Sequence, residues 1–468
     1  MSTSVALRLR ASLATAMAVP VAVAGGALAA ISPELTLGVL ASAVVLVLAI
    51  EAPVVHLLLL VAIAISLPRE ILNQLSVGGG LGAAGLTPTD VLILTGCLGV
   101  ALRLADERLD RRRFWVAAGV AAFLAIGALQ IWRGLGRYWA PDVIAEFRVL
   151  AGVAALFLAL PIVARDDEFR RLWRGLAVVG LGLGLWGIAQ WVLHLQFDNA
   201  AAAIRGSTFA TAGRVAGLYA FPVAIVLGSA ALLSGHVRHG SARMALALVV
   251  AVNAAALMLT FERSFWVAIA GGLVFLLLRT RWRQRIRLLL GIPIIALLVL
   301  GAMSVLAPTE LNATAQRVLS LTRYRTDPSF TYRKVESRRV ERHIRAHPID
   351  GSGLGANQLI GRPGTRAPVV RRPYAESGYL WLAWKLGIPA AALLCALMLY
   401  SGLRRQGPPE SLGRSLRIGS QAALITVALC AVSFAPFNSN AGTTMIGVLM
   451  AVAIGPASAC LSSRARPT

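Results

Sequence analysis

The chain has 468 residues, 57% hydrophobic and only 14% charged, with a mean hydropathy of +0.73. Soluble domains carry about a quarter charged residues, so this composition excludes a soluble globular protein and predicts a polytopic membrane protein. The formal net charge of +24 would suggest nucleic acid in a soluble chain. Here the basic residues sit mainly in short loops between apolar runs, where they set topology and meet anionic headgroups, so no nucleic acid is expected.

In chain order, Arg8 and Arg10 precede an apolar run ending near Ala27, Leu28 and Ala29. That pattern imitates a secretory signal, but further spans follow at once and an uncleaved first helix is expected. Runs long enough to span a bilayer, about 17–25 residues, fall at 12–31, 35–51, 52–67, 89–105, 114–132, 144–164, 173–195, 213–234, 241–260, 264–279, 286–306, 377–402, 416–435 and 440–461. Some are short, so about 12–14 spans of an all-α helical bundle are predicted. The expected organisation is a transmembrane part at 1–306, an extracytoplasmic basic loop at 307–376 with short helices, and C-terminal transmembrane helices at 377–468. Glu51, His56 and Asp90 lie near helix ends and read as solvated or interfacial. Cys97, Cys395, Cys430 and Cys460 lie in or at the end of apolar segments with no metal-ligand spacing and read as small hydrophobes.

With a cytoplasmic N-terminus, the loops 103–113, 165–174, 234–243, 279–287 and 403–414 and the tail with Arg464 and Arg466 all fall inside, and each is basic, as the positive-inside rule expects. Three outer places break the rule. Arg133 and Arg137 lie among Trp132, Tyr138 and Trp139 and are expected to snorkel to the interface. Arg205 precedes the span that begins near Gly213. The loop 307–376 carries 13 basic residues against six acidic ones, Glu376 included.

Within that loop, 333–346 lacks Gly and Pro and predicts a helix stopped by Pro348 and Gly351. Arg338, Arg342 and Arg345 stand at i, i+4 and i+7 and line one face. Like charges at that spacing repel, so a phosphate-rich ligand or anionic headgroups would be the compensating partner. Arg263, between two apolar segments, sits where a guanidinium is costly unless paired, and its fork suits bidentate phosphate recognition. A neighbour pair with Glu262 is the plainer alternative. Lys334 and Lys385 are the only lysines.

Four segments carry a resemblance. Arg333 followed by His-Pro-Ile-Asp-Gly-Ser-Gly-Leu-Gly at 347–355 resembles the signature loop of the O-antigen ligase/polymerase superfamily, in which an Arg precedes a His-Pro-Leu-x-Gly-x-Gly turn. Glu376-Ser-Gly-Tyr-Leu380 with Lys385-Leu-Gly-Ile-Pro389 is similar to the family's segment re-entering the membrane. Arg205-Gly-Ser-Thr-Phe209 resembles its Arg-x-Gly-Thr-Phe segment, and Thr260-Phe-Glu-Arg-Ser264 its Thr-x-Ser-Arg segment. The four lie between about residues 200 and 390, in matching order and on the same predicted side.

The resemblance implies a metal-independent glycosyl transfer, without cofactor, in the bacterial cytoplasmic (inner) membrane. Both termini would be cytoplasmic and the active site extracytoplasmic. The donor would be a polyprenyl-diphosphate-linked oligosaccharide and the acceptor a hydroxyl of a glycan or glycolipid, among membrane lipids, in polysaccharide biosynthesis of the cell envelope. Arg263 and Arg333, with Arg205, would hold the diphosphate. Glu376 stands where ligases place a histidine and would accept the hydroxyl proton, which favours a polymerase; a helix-capping role for Glu376 is the alternative. Arg338, Arg342, Arg345 and His347 would bind substrate, although His347 also suits a turn residue holding the Pro348–Gly351 corner. A lipid-linked oligosaccharide flippase and a non-catalytic anionic-lipid-binding scaffold are the rival classes. Against transport stands the absence of the internal repeat that transporters commonly show.

Overall fold

The computed structural model describes residues 33–67, 85–104, 110–193, 218–234, 237, 239–319, 328–360, 370–373, 375–405 and 411–455. The expected span 12–31, Arg205 and Cys460 lie outside them. The described residues form an all-α bundle: α1 (Pro33–Glu51), α2 (Pro53–Ser66), α3 (Pro88–Leu104), α4 (Arg111–Leu135), α5 (Ala140–Ala151) running through a single 3₁₀ turn into α6 (Ala155–Ala164), α7 (Asp166–Val192), α8 (Ala220–Leu233), α9 (Gly240–Leu259), α10 (Arg263–Arg279) and α11 (Trp282–Leu306). A polar excursion follows, with α12 (Pro308–Leu319), α13 (Pro328–Ala346) and an antiparallel pair, β1 (Gln358–Ile360) and β2 (Val370–Arg372), in which Leu359 faces Arg371. The chain returns through α14 (Gly378–Leu386), α15 (Ile388–Leu403), α16 (Leu412–Cys430) and α17 (Asn440–Ala453).

By length and composition, Arg111–Leu135, Ala140–Ala164, Asp166–Val192, Gly240–Leu259 and Trp282–Leu306 can each cross a membrane, and shorter apolar helices accompany them. The protein is a multi-pass membrane protein. Its outward surface agrees: on α11, Leu290, Ile294, Leu297, Leu298 and Val305 are all exposed, an arrangement that only a hydrocarbon surround makes favourable. The centre is α17, buried along Ala441–Ala453, which reads as apolar nearly all round for that reason. It packs on α16, on α6 and on α5 with the 3₁₀ turn that joins it to α6, the last two through small residues: a Cβ on Gly447 would come within 2.6 Å of the carbonyl oxygen of Val153 in the turn, and the Thr443 hydroxyl donates to the carbonyl of Val149 on α5 at 2.5 Å. Close backbone approach with a satisfied hydroxyl is a common way for helices to associate without hydrophobic drive.

The basic end of the bundle is tied by its own arginines. Arg279, at the end of α10, donates to the Leu403 carbonyl at 2.7 Å and the Arg404 carbonyl at 3.2 Å, and Gln421 donates to the latter at 2.8 Å, which satisfies carbonyls that the end of α15 leaves without helical partners.

Two expectations are corrected here. His56 is not interfacial: it is 2% exposed and its Nε2 lies 3.2 Å from the Thr95 hydroxyl. Asp90 is not simply solvated either, because it pairs with Arg148 at 3.0 Å. In both cases an apolar neighbourhood makes a polar group find a partner on another helix. Cys97, Cys395 and Cys430 are free thiols, and Cys430 is buried.

The apolar run 377–402 is two helices. Gly387 separates them at φ +87°, and a Cβ there would overlap the Ile349 carbonyl oxygen. Its neighbour Ile388 donates its N–H to the Pro348 carbonyl at 2.8 Å, so the break is where the polar excursion docks on the bundle. Gly387→Ala is expected to lower stability by about 1–3 kcal/mol or more, because the backbone there is in a region other residues rarely tolerate. A thermal unfolding midpoint in detergent equal to that of the wild type would contradict this.

Candidate active site

Helix α13 begins at Pro328, five residues before the predicted start, and ends at Ala346 just ahead of Pro348. Glu336, Val340 and Ile344, spaced by four, form its buried face, whereas Arg338, Arg342 and Arg345 are exposed. The arginine face read from the sequence is therefore turned away from the bundle, and the buried face holds a different polar group, Glu336 at 3% exposure.

Arg333 and Glu376, 43 positions apart in the chain, are brought together. Arg333 Nη2 lies 3.8 Å from Glu376 Oε2, with the carboxylate side chain only 5% exposed, an ion-pair contact too long for a hydrogen bond. Glu336, one helical turn beyond Arg333, accepts the Glu376 backbone N–H at 3.0 Å. The guanidinium also lies over the Phe434 ring, 5.6 Å from its centroid, in cation–π range. Phe434 in turn contacts Phe265 at 4.8 Å and Tyr219 at 6.5 Å between centroids. Directly after Glu376, Ser377 holds the N-cap position of α14, and the Gly378 N–H donates to the Ala431 and Phe434 carbonyls at 2.8 and 2.9 Å. The loop following α16 thus fixes both the head of α14 and the aromatic floor beneath Arg333.

Arg263 is the first residue of α10, two positions before Phe265. Its helix therefore starts at the same end of the bundle as Arg333 and Glu376, joined to them through the Phe265–Phe434 contact. Phe261, in the tight turn before it, is the one non-glycine residue with positive φ, +54°, among those described. Arg205 lies outside the described residues.

His347 is about half exposed, its Nδ1 3.8 Å from Asp350 Oδ1, and its carbonyl accepts the Gly351 N–H at 3.1 Å. This is the geometry of a turn residue. The glycines that follow are needed for backbone shape, since Gly351, Gly353 and Gly355 have φ of +66°, +93° and +83°. A Cβ on Gly351 would meet the Lys385 carbonyl oxygen at 2.6 Å. The turn is clamped from α4: Gln130 donates to the Asp350 carbonyl at 2.7 Å, and Arg133 reaches that carbonyl at 3.0 Å and the Asp350 carboxylate at 2.5 Å. Arg133 thus does not snorkel to headgroups as expected; a specific acceptor within reach wins over the interface. Tyr138 adds a bond to the Ser352 carbonyl at 3.0 Å.

Sequence reading passed over one more group. Lys385 and Glu146, 0% and 2% exposed, pair at 2.6 Å. The lysine Nζ also donates to the Ala356 carbonyl and sits 4.4 Å from the Trp384 ring centroid, while Glu146 Oε2 accepts the Gly355 N–H at 2.8 Å. A lysine in a chain whose cations are otherwise almost all arginine was the available signal. Its partner, 239 positions away, carried none.

Residues 246–395 match the O-antigen ligase family. The match supports the O-antigen ligase/polymerase superfamily and a membrane glycosyltransferase of ligase or polymerase kind. No curated protein matches the chain. The O-antigen ligase segment covers about a third of the sequence, from within α9 into α15. It contains Arg263, Arg333, Glu376 and Lys385 and leaves out Arg205, Glu146 and Phe434.

Two groups on the polar excursion are held away from their ordinary pKa values. Burial, then Arg342 and His347, hold the His343 imidazole below 6.5, and its ring lies 5.8 Å from that of Trp384. The Arg133 hydrogen bond holds the Asp350 carboxyl below 3.8. Both groups bind fewer protons when the loop is docked. The His343 contribution is present above pH 6.5 and lost as pH falls below it, and that of Asp350 is lost only below the carboxylate range. Hydrogen exchange over 343–350, corrected for intrinsic rate, should therefore be faster at pH 5.5 than at pH 7.5, and His343→Gln should erase the difference. Equal protection at both pH values in the wild type would contradict the assignment.

Proposed function

We propose that the protein transfers a polyprenyl-diphosphate-linked glycan to an acceptor hydroxyl at the outer face of the cytoplasmic membrane, as a polymerase in preference to a ligase. The single observation that carries this reading is the approach of Arg333 to the buried Glu376 carboxylate, at the end of the bundle where α10 begins with Arg263. A cation and a potential proton acceptor side by side are the two things this chemistry asks of a protein.

In the proposed step the acceptor oxygen attacks the anomeric carbon of the donor, the bond from that carbon to the diphosphate oxygen breaks, and the hydroxyl proton passes to Glu376. Negative charge grows on the departing lipid diphosphate. Arg333 and Arg263 are the cations proposed to meet it, an electrostatic contribution that preorganised donors supply without reorganisation, and Arg205, outside the described residues, is given the same role by the family resemblance alone. Arg333 is preorganised by Phe434 beneath it. The exposed row Arg338, Arg342 and Arg345 guides the donor or the growing glycan by its field, and His347 shapes the corner beside it. The basic loops read from the sequence support an outer placement and cytoplasmic termini, and the division into 1–306, 307–376 and 377–468 is kept as part of the proposal.

The test is direct. The purified protein is supplied with undecaprenyl-diphosphate-linked oligosaccharide and the products are separated. Released undecaprenyl diphosphate together with lengthened glycan, undiminished in EDTA, is the expected result. Movement of intact donor across a proteoliposome bilayer with no release would instead support a flippase.

A further inference from the structure

We propose that the Lys385–Glu146 ion pair is the positioning device of this active site, locking the break between α14 and α15 to the 351–356 turn so that Arg333 and Glu376 are held at their working separation. The inference rests on the transferase reading above and extends it to two residues that touch no substrate.

Burying an ammonium and a carboxylate in a membrane protein is expensive, and this pair is buried almost completely. Its hydrogen bonds show what the cost secures. Glu146 comes from α5, and its second oxygen takes the Gly355 N–H; Lys385 comes from the end of α14 and takes the Ala356 carbonyl. Around them the Ser352 N–H donates to the Trp384 carbonyl at 2.7 Å and the Gly353 N–H to the Lys385 carbonyl at 3.1 Å. Three separate pieces of chain therefore meet at one charged pair: the rigid helix α5, the glycine turn and the end of α14.

Those pieces lead to the two proposed reacting groups. The turn is the continuation of α13, which carries Arg333, and α14 opens two residues after Glu376. The two helices also touch through His343 and Trp384, and the Trp384 ring carries the Lys385 ammonium on its face. Loosening the pair frees one end of each helix. Val340, Ile344, Leu354 and Ala356 pack the excursion on the core, and the buried ion pair adds the directional link that apolar contacts do not supply. Arginine, which fills nearly every other cationic position, brings a planar fork where a compact ammonium is enclosed by the Ala356 carbonyl and Glu146.

Four variants of the full-length protein in detergent test this: Lys385→Met, Lys385→Arg, Glu146→Gln and the double Glu146→Gln/Lys385→Met. Hydrogen exchange is followed over 348–358, and release of undecaprenyl diphosphate from undecaprenyl-diphosphate-linked oligosaccharide is measured. Lys385→Met should raise exchange by about tenfold or more and lower kcat by about 100-fold, the cost of a misplacement on the order of 1 Å, with donor KM changed less than about threefold. Lys385→Arg should not restore kcat. Glu146→Gln, whose amide oxygen still accepts the Gly355 N–H but leaves the Lys385 ammonium buried without its counter-charge, should also lower kcat and melt below the wild type. The double variant buries no lone charge and should melt near the wild type yet stay slow, which separates positioning from collapse of the fold.

Wild-type kcat in Lys385→Met, or faster exchange with kcat unchanged, would overturn the inference alone. A wild type that releases no undecaprenyl diphosphate, beside a Lys385→Met variant whose turn still loosens, would overturn the transferase reading and leave the pair a purely structural lock.

Discussion

Replacing Glu376 by alanine is expected to slow glycan transfer by roughly 10²–10⁴-fold, the usual contribution of a positioned general base. The expectation follows from where the carboxylate sits. Glu376 is 5% exposed and its backbone is pinned by Glu336, so a solvent molecule cannot simply take its place in the same orientation. Alanine also leaves the Arg333 guanidinium without that counter-charge, which confounds loss of a base with loss of structure. Glu376→Gln resolves the two: it keeps the shape and an acceptor oxygen but cannot take a proton, and it should be nearly as slow as alanine while melting like the wild type. The measurement is kcat at saturating donor for both variants, with KM little changed because the base acts in the transition state and not in binding. Full turnover in either variant would remove Glu376 from the reaction.

Arg333→Lys should cost roughly 10²–10³-fold in transfer, comparable with removing one well-placed donor at a site of developing charge, although the formal charge is unchanged. The guanidinium is planar and lies over Phe434 while it approaches Glu376. An ammonium is a point charge on a flexible stem and cannot keep both contacts and still offer two parallel donors to a diphosphate. The contrast is on the other face of the same helix. Arg338, Arg342 and Arg345 are exposed, so Lys at any of them preserves the field, and transfer should change less than about threefold at moderate salt. Equal sensitivity on both faces would mean that bulk charge is what matters, the behaviour of an anionic-lipid-binding scaffold.

Much of this was legible in the sequence because apolar runs and charge exclusions are written residue by residue. The runs from 35–51 to 286–306 coincide with α1 to α11, and the Gly- and Pro-free stretch 333–346 gave most of α13 together with the shared face of its arginine row. What the sequence hid were relations. The run 377–402 is apolar throughout, so the break at Gly387 left no hydropathy signal, although Gly-Ile-Pro was there to suggest it. Glu146 shares α5 with Asp142 and Arg148, and nothing in its surroundings names Lys385. Phe434 is one aromatic among many until Arg333 is seen over it. The strands β1 and β2 are three residues each, too short for alternation to be read. Arg133 was assigned by its aromatic neighbours to the lipid interface, whereas an acceptor on a loop more than 200 positions away claims it.

The account stands on one claim, that cations from separate parts of the chain receive a single diphosphate beside Glu376. The most direct measurement is an experimental structure of the protein in nanodiscs with undecaprenyl diphosphate bound. The account predicts diphosphate density within hydrogen-bonding distance of the Arg333 and Arg263 guanidiniums, above Phe434, with its polyprenyl tail leaving sideways into lipid. Density confined to the exposed Arg338, Arg342 and Arg345 row, or to the basic loops at the opposite end of the bundle, would contradict it.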